Sequence, residues 1–377
     1  MHNINISNQN KIICNAFPRF EHLDSVRGIA AIVVAFYHSL RPFAEIPRGD
    51  GIISALNGHT AVLFFFILSG FVLSGSLIAR GSNLKSLLGY WTKRFFRLYP
   101  LVAFAVLFSA FTAIFYTNSQ AWSPVAPWVS KMMELSKNLS GLREYLSCLA
   151  LHVSYLNAPL WTIKVELVCS ALLPFLLFAD NLFKRKMFST FAIAILLFCY
   201  YQFSPENLNS TKYLVYFFLG YVAFKLMVFS ARISIFFSAL FIFTFFMMIL
   251  AANFWNLPIV YMTFSLFGLF CLLIPCRPLI LKNLLKTKSM LFLGRVSFSF
   301  YVLHWPIMLF LLSLMQIYLN PDFLDDHPFL KGLLLFVVSV CFALPLSGLT
   351  ERFIERPFNA LGHKISSLIY TSTNSKT

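Results

Sequence analysis

Residues 61–79, AVLFFFILSGFVLSGSLIA, form an uncharged apolar run that is long enough to cross the hydrocarbon core of a bilayer as a helix. The composition agrees, because 59% of the 377 residues are hydrophobic, only 12% are charged and the mean hydropathy is +0.75. A soluble domain carries about 25% charged residues, and a soluble protein this apolar would expose patches that drive aggregation. The sequence therefore predicts an integral membrane protein.

Similar apolar runs recur along the chain and predict an all-α, polytopic helical bundle of about ten transmembrane helices. The runs are continuous, whereas a transmembrane β-barrel shows alternating segments of about ten residues. The predicted spans are 24–42, 57–79, 97–117, 159–179, 187–203, 212–229, 232–250, 257–275, 291–318 and 330–350.

The predicted organisation is a cytoplasmic N-terminal tail (1–23), one membrane domain (24–358) and a cytoplasmic C-terminal tail (359–377). Only 118–144 is a long polar loop, and 145–157 is apolar but too short to span. The N-terminal tail lacks an apolar core, so we expect no cleavable signal peptide.

Lysine and arginine concentrate in alternate connections, on the side that holds both termini. The positive-inside rule therefore predicts cytoplasmic termini. Topology explains the net charge of +16 better than a nucleic-acid partner does, since no basic domain lies outside the membrane. The seven cysteines show no CxxC pair and mostly lie in apolar runs, so we expect neither a metal site nor a disulfide framework.

Helix 1 of the predicted bundle carries Asp24, Arg27 and His38. Ionisable groups inside a span are costly and usually face a cavity or a partner. Arg27 and His38 are eleven residues apart, which places them on one helix face about 17 Å from each other. The alternative is that Arg27 extends to the interface and His38 hydrogen-bonds a neighbouring helix.

Two further spans carry polar groups at the predicted depth of His38. Glu166 follows Trp161 about 10 Å below the predicted outer surface. It could orient an acceptor or His38, or pair with Lys164 or with another helix. Ser297, Tyr301 and His304 form one stripe at i, i+4 and i+7, for which the alternative is ordinary interhelical hydrogen bonding beside a Pro306 kink.

Arg94 and Arg97 lie in the segment WTKRFFRLYP, at a predicted cytoplasmic helix entry. They could anchor topology or clamp a phosphate, since arginine forms bidentate phosphate contacts. In the second span, the small residues of Ser69–Gly70 and Ser74–Gly75 predict close helix packing.

Together these segments resemble the acyltransferase-3 family of membrane acyltransferases. The similar stretches follow the family order from residue 23 to 358. They are LDSVRGIAAIVVAFYH, FFILSGFVLS, RFFRLYP, LWTIKVELVCSALLP, LGRVSFSFYVLHWPI and ERFIERPF.

The resemblance implies transfer of an acyl group, usually acetyl from acetyl-CoA, to cell-envelope carbohydrate such as lipopolysaccharide. It implies that Arg27 and His38 are essential. It also matches Arg94 and Arg97 to the family's Arg-x-x-Arg motif, and Trp161 and Glu166 to its Leu-Trp…Glu motif. Lys164 departs from the family pattern, where a small or polar residue is expected.

We expect His38 to be the general base on the acceptor hydroxyl, with a covalent acyl-histidine as the alternative. Arg27, Arg94 and Arg97 would hold the phosphates of acyl-CoA, a co-substrate and not a bound cofactor. Glu166 or His304 would orient the acceptor or His38. Residues that could support the acceptor are Asp24, Trp161, Ser297, Tyr301 and His304.

The expected partners are acyl-CoA, a carbohydrate or glycolipid acceptor and the lipid bilayer, in a bacterial inner membrane. The rival hypotheses are a transporter or flippase of a lipid-linked or acylated molecule, and a non-catalytic scaffold. The sequence leaves the acceptor, the acyl chain and the oligomeric state open.

Overall fold

The computed structural model describes residues 20–43, 55–80, 84–115, 127–137, 142–152, 154–183, 186–204, 210–319 and 326–371. Most of these residues are helical, and no strand occurs among them. The helices are α1 (Glu21–Leu40), α2 (Gly58–Arg80), α3 (Leu84–Ala113), α4 (Pro127–Lys137), α5 (Leu142–Leu149), α6 (Leu160–Leu182), α7 (Lys186–Phe203), α8 (Leu214–Ser230), α9 (Ile235–Phe254), α10 (Ile259–Leu273), α11 (Leu279–Leu285), α12 (Lys288–Tyr318), α13 (Pro328–Thr350) and α14 (Arg356–Thr371).

The all-α, polytopic class is confirmed. Within the described part of the chain, seven helical stretches are long and apolar enough to cross a membrane, and two apolar helices are shorter. Each of the ten predicted spans coincides with a helix, although their number and the orientation of the termini stay predictions. Of the predicted tails, residues 1–19 and 372–377 lie outside the described residues, as do 118–126 and 138–141 of the long loop.

The helix that contains most of the third predicted span begins well before it. The span was placed at 97–117, but α3 begins at Leu84. Its basic first half lowers the hydropathy there, yet those residues are helical and α14 packs along the same helix. Arg94 and Arg97 therefore lie inside the helix, about 15 and 20 Å from its first residue.

Two close helix crossings build the centre of the bundle. At the crossing of α1 and α12, a Cβ on Gly28 would lie 2.7 Å from the Leu293 backbone, and one on Gly294 would lie 2.5 Å from the Asp24 backbone. Gly70 of α2 and Gly220 of α8 meet in the same way, which confirms the close packing predicted for Ser69–Gly70. Without side chains at these points, groups on facing helices come within hydrogen-bonding distance.

The chain after α13 continues without a break in helical structure. Glu351–Glu355 forms one π-helical turn, and α14 then packs along α3. The predicted C-terminal tail is therefore helical up to Thr371. This arrangement brings the ERFIERPF segment to the end of the bundle where α1 begins.

Candidate active site

Arg27 is held against α12 by the Gly28–Gly294 crossing. Its Nε donates to Ser297 Oγ at 2.8 Å, and its Nη2 donates to the carbonyl oxygen of Gly294 at 3.1 Å. Asp24, one helical turn earlier, lies 3.5 Å from Nη2. The guanidinium of Arg27 is therefore bonded to α12 and lies beside Asp24.

Arg94 and Glu166 form an ion pair between α3 and α6. Arg94 Nη2 lies 2.5 Å from Glu166 Oε1, and Ser69 Oγ is 3.5 Å from the same oxygen. Arg94 is buried and Glu166 is half-buried. The structure therefore supports pairing of Glu166 with another helix, and not the expectations that it contacts His38 or Lys164.

These groups line one cavity of about 720 Å³, which we call the arginine cavity. Three guanidinium groups face a single carboxylate in it, so the lining is strongly positive. Arg97 makes no hydrogen bond or ion pair with any residue that the structure describes. The polar lining residues are Arg27, Arg94, Arg97, Glu166, Ser69, Thr162, Ser297 and Tyr301.

A second cavity of about 1140 Å³ shares Arg27, Arg97, Leu68 and Val72 with the first. We call it the mouth cavity, since it lies where α1 begins and where α13 passes into α14. Its remaining charged lining residues are Asp24, Arg295, Glu351, Glu355 and Arg356. The two cavities together give a charged route from that end of the bundle to Glu166.

His38 and His304 form a hydrogen-bonded pair between α1 and α12. His38 Nδ1 and His304 Nε2 are 3.0 Å apart, and the ring of Trp305 packs edge-on against His38. His304 is 1% exposed, whereas His38 is partly exposed. Of the two residues, His38 is therefore the more accessible.

The partners of the pair determine its tautomers. His304 Nδ1 lies 3.3 Å from the carbonyl oxygen of Phe300, which can only accept, so Nδ1 carries the proton of a neutral ring. His304 Nε2 is then an acceptor, and His38 Nδ1 must donate to it. This assignment leaves His38 Nε2 with a free lone pair.

The predicted stripe on α12 exists, and its members contact two different helices. Ser297 accepts from Arg27 of α1, Tyr301 OH accepts from Thr162 Oγ1 of α6 at 3.1 Å, and His304 contacts His38 of α1. The histidine pair does not line the arginine cavity or the mouth cavity. The structure therefore places Glu166 in the arginine cavity, apart from His38 and His304.

Trp161 and Lys164 lie on the opposite face of α6 from Glu166. Trp161 packs against Phe66 and Tyr213, with ring centroids 6.5 and 5.5 Å away. Lys164 lines a third cavity together with Trp161. Neither residue reaches the arginine cavity.

Sequence reasoning missed Ser69, Thr162 and Glu355 as members of the site. Glu355 accepts hydrogen bonds from the backbone N and the hydroxyl of Ser299 and lines the mouth cavity. Its place in the quoted ERFIERPF segment was a usable signal. No signal in the sequence marked Thr162, because threonine is common in apolar helices and Tyr301, the partner of Thr162, is distant in the chain.

The sequence matches the family model described as "Acyltransferase domain", that of the acyltransferase-3 family, over residues 20–352. A stretch of 96 residues is 35% identical to "Protein 2 in picA locus" of Rhizobium radiobacter, covering 24% of this chain and 44% of that protein. The chain thus spans less than half the length of that curated relative. No solved structure matches significantly. The family match includes both arginine-bearing helices, Glu166 and the histidine pair, so the chain belongs to the acyltransferase-3 family of multi-pass membrane acyltransferases.

Proposed function

We propose that this protein is a membrane O-acyltransferase of the bacterial inner membrane. It moves an acyl group, with acetyl from acetyl-CoA as the expected case, to a hydroxyl of an envelope carbohydrate or glycolipid. The donor enters through the mouth cavity from the cytoplasmic side, and the acceptor approaches from the other side.

The observation that carries the proposal is the His38–His304 hydrogen bond. Acyl transfer to a hydroxyl needs a base, and imidazole has an ordinary pKa of about 6.5 that suits this role. The Phe300 carbonyl and His304 hold His38 in the tautomer with a free Nε2. His38 is therefore the catalytic base, and the buried His304 is a positioning residue.

The arginine cavity supports a donor that carries phosphate groups. Arginine forms bidentate contacts with phosphate, and Arg97 has its donors unused among the described residues. Arg27 is oriented by Ser297 and Gly294, and so presents its guanidinium in a fixed direction. A phosphate-rich head bound here leaves the thin arm of CoA to carry the thioester toward His38.

The reaction balances without a further reactant. His38 Nε2 takes the proton of the acceptor hydroxyl while its oxygen forms a bond to the thioester carbonyl carbon. The tetrahedral oxyanion then collapses, the carbon–sulfur bond breaks, and the proton passes from His38 to the departing CoA sulfur. The products are an ester and free CoA.

Sided proteoliposomes test the proposal. Radiolabelled acetyl-CoA is supplied only on the face that holds the termini, and envelope glycan is supplied only on the other face. We expect label in the glycan, and a reduction of about 10²–10⁴-fold in His38→Ala at equal reconstitution. The exposed His327→Ala serves as the matched control.

Two results would count against the proposal. Near-normal transfer by His38→Ala would remove the base assignment. Movement of unmodified glycan or glycolipid across the membrane, without label in the product, would favour the transporter hypothesis.

A further inference from the structure

The third cavity lies at the beginning of α6, is open to the surface and has a volume of about 500 Å³. We call it the Trp161 cavity. Its apolar lining is Leu151, Leu160 and Val165, and its polar lining is His152, Ser154, Trp161, Lys164 and Ser210. Among the residues that the structure describes, which omit 153 and 205–209, the lining of this cavity contains no acidic side chain, and Lys164 gives that lining a positive charge.

The Trp161 cavity is at the same end of the bundle as the histidine pair. Asn157, just before α6, donates from Nδ2 to the carbonyl oxygen of Val302 at 2.7 Å, and Val302 lies two residues before His304. The mouth cavity is instead at the Asp24 end of α1. The third cavity is therefore on the acceptor side of the proposed reaction.

The polar groups around the cavity have hydrogen-bonding capacity that the described residues leave unused. The side chains of His152, Ser154 and Ser210 make no hydrogen bond within this part of the chain. The same holds for the Trp161 indole N–H and for the Lys164 ammonium, which has no carboxylate within 4.0 Å there. Each is a donor that a ligand could satisfy.

The backbone beside the cavity adopts a costly conformation. Leu151 has φ of 57°, a left-handed value that is unfavourable for a residue other than glycine. Its N–H donates to the Cys148 carbonyl and that of His152 donates to the Ser147 carbonyl, which ends α5 and turns the chain. This turn brings His152 and Ser154 to the cavity rim.

We propose that the Trp161 cavity binds a carboxylate-bearing sugar unit of the acceptor, an inference that rests on the proposed function. The half-exposed indole offers a flat apolar surface for the C–H face of a pyranose ring. His152, Ser154 and Ser210 hydrogen-bond its hydroxyl groups. Lys164 pairs with the carboxylate and selects acidic sugars over neutral ones.

Binding measurements on the full-length protein in nanodiscs test this proposal without any acyl donor. The probes are a glucuronic-acid-terminated disaccharide and its glucose-terminated counterpart. We expect the wild type to prefer the acidic probe, and Lys164→Gln to weaken its binding about 10–100-fold while changing neutral binding little. Lys164→Arg should restore the preference, and the exposed Lys131→Gln is the matched control.

Equal binding of both probes, binding of neither, or equal losses in Lys164→Gln would overturn the proposal. Native mass spectrometry shows whether the ligand that the protein retains is a sugar or a lipid. Phosphatidylglycerol retained by the wild type but not by Lys164→Gln, with no acidic-sugar preference, would assign the cavity to lipid. The binding measurement does not depend on acyl transfer. If the wild type prefers the acidic probe but transfers no acyl group, the proposed function is overturned and the assignment of the Trp161 cavity to an acidic sugar stands.

Discussion

Helix α6 carries two acidic side chains, Glu166 and Asp180, which form ionic clusters of different kinds. Glu166 pairs with Arg94 in a cavity that two further arginines line. Asp180, about 21 Å further along the same helix, accepts hydrogen bonds from Ser189, Thr190, Tyr221 and Lys225 and lines none of the three cavities described above.

The difference lies in charge balance and in access. In the Asp180 cluster one carboxylate meets one lysine, and hydroxyl groups satisfy its oxygens. In the arginine cavity one carboxylate faces three guanidinium groups, and Arg97 has no partner at contact distance among the described residues. A balanced, closed cluster joins α6, α7 and α8, whereas an unbalanced, open one retains capacity for an anion.

We expect Asp180→Ala to lower the stability of the protein more than the other substitutions do. This change removes the acceptor of a buried ion pair, which typically costs about 3–5 kcal/mol of folding free energy. We expect a strongly lowered melting temperature in detergent, while the protein that stays folded binds CoA normally. Exposed Asp326→Ala is the control, and weaker CoA binding at an unchanged melting temperature would contradict the assignment.

Arg97→Ala should show the opposite pattern. Loss of charge-assisted hydrogen bonds to phosphate should weaken CoA binding about 10–100-fold, measured by calorimetry. The melting temperature should not fall, since Arg97 stands beside other arginines and has no ion-pair partner among the described residues. Lysine should substitute poorly because it cannot form the bidentate contact.

Two further variants serve as comparisons for Arg97→Ala: Arg94→Ala, which removes a paired arginine, and Arg143→Ala, which removes an exposed one. Arg94→Ala should lower stability as well, because it leaves Glu166 without its ion-pair partner. Arg143 is exposed and should affect neither property. If Arg97→Ala and the wild type bind CoA with equal affinity, the arginine cavity does not bind the phosphates of CoA and its charged residues have a structural role.

The smallest expected effect belongs to Ser297→Ala. Arg27 loses the acceptor of its Nε but keeps the Gly294 carbonyl, so the expected loss is about 1 kcal/mol, or a few-fold in kcat/KM. Ser297→Thr keeps the hydroxyl and should recover most of the activity. A fall in melting temperature with unchanged kinetics would place Ser297 with the structural residues.

Much of the fold could be predicted because its signals are local. Apolar length located a helix at every predicted span, and helical period grouped Ser297, Tyr301 and His304 on one face. The start of α3 could not be found this way. Hydropathy gives Lys85, Arg94 and Arg97 similarly low values. It cannot distinguish a charged residue in water from one that lines a cavity inside the bundle.

The partners of the ionic groups required the tertiary structure. Glu166 and Arg94 are 72 residues apart in the chain, and nothing in their local sequences specifies the pairing. One alternative could have been excluded from geometry alone, because Lys164 and Glu166 are two residues apart and face opposite sides of a helix. Asp180 and Lys225 were missed since polar residues near predicted helix ends are usually explained by topology.

Helix α1 also sets the distance between Arg27 and His38. Both residues lie on this one helix, eleven residues and therefore about 17 Å apart along its axis. A donor whose phosphate is held at Arg27 must extend that far before its acyl carbon reaches His38. In acetyl phosphate a single oxygen joins the phosphorus to the acyl carbon. This molecule is too short to contact Arg27 with its phosphate and His38 with its acyl carbon at the same time. Under the proposed function, the length of a helix would thus restrict the reaction to long donors, without any contact with the acyl group itself.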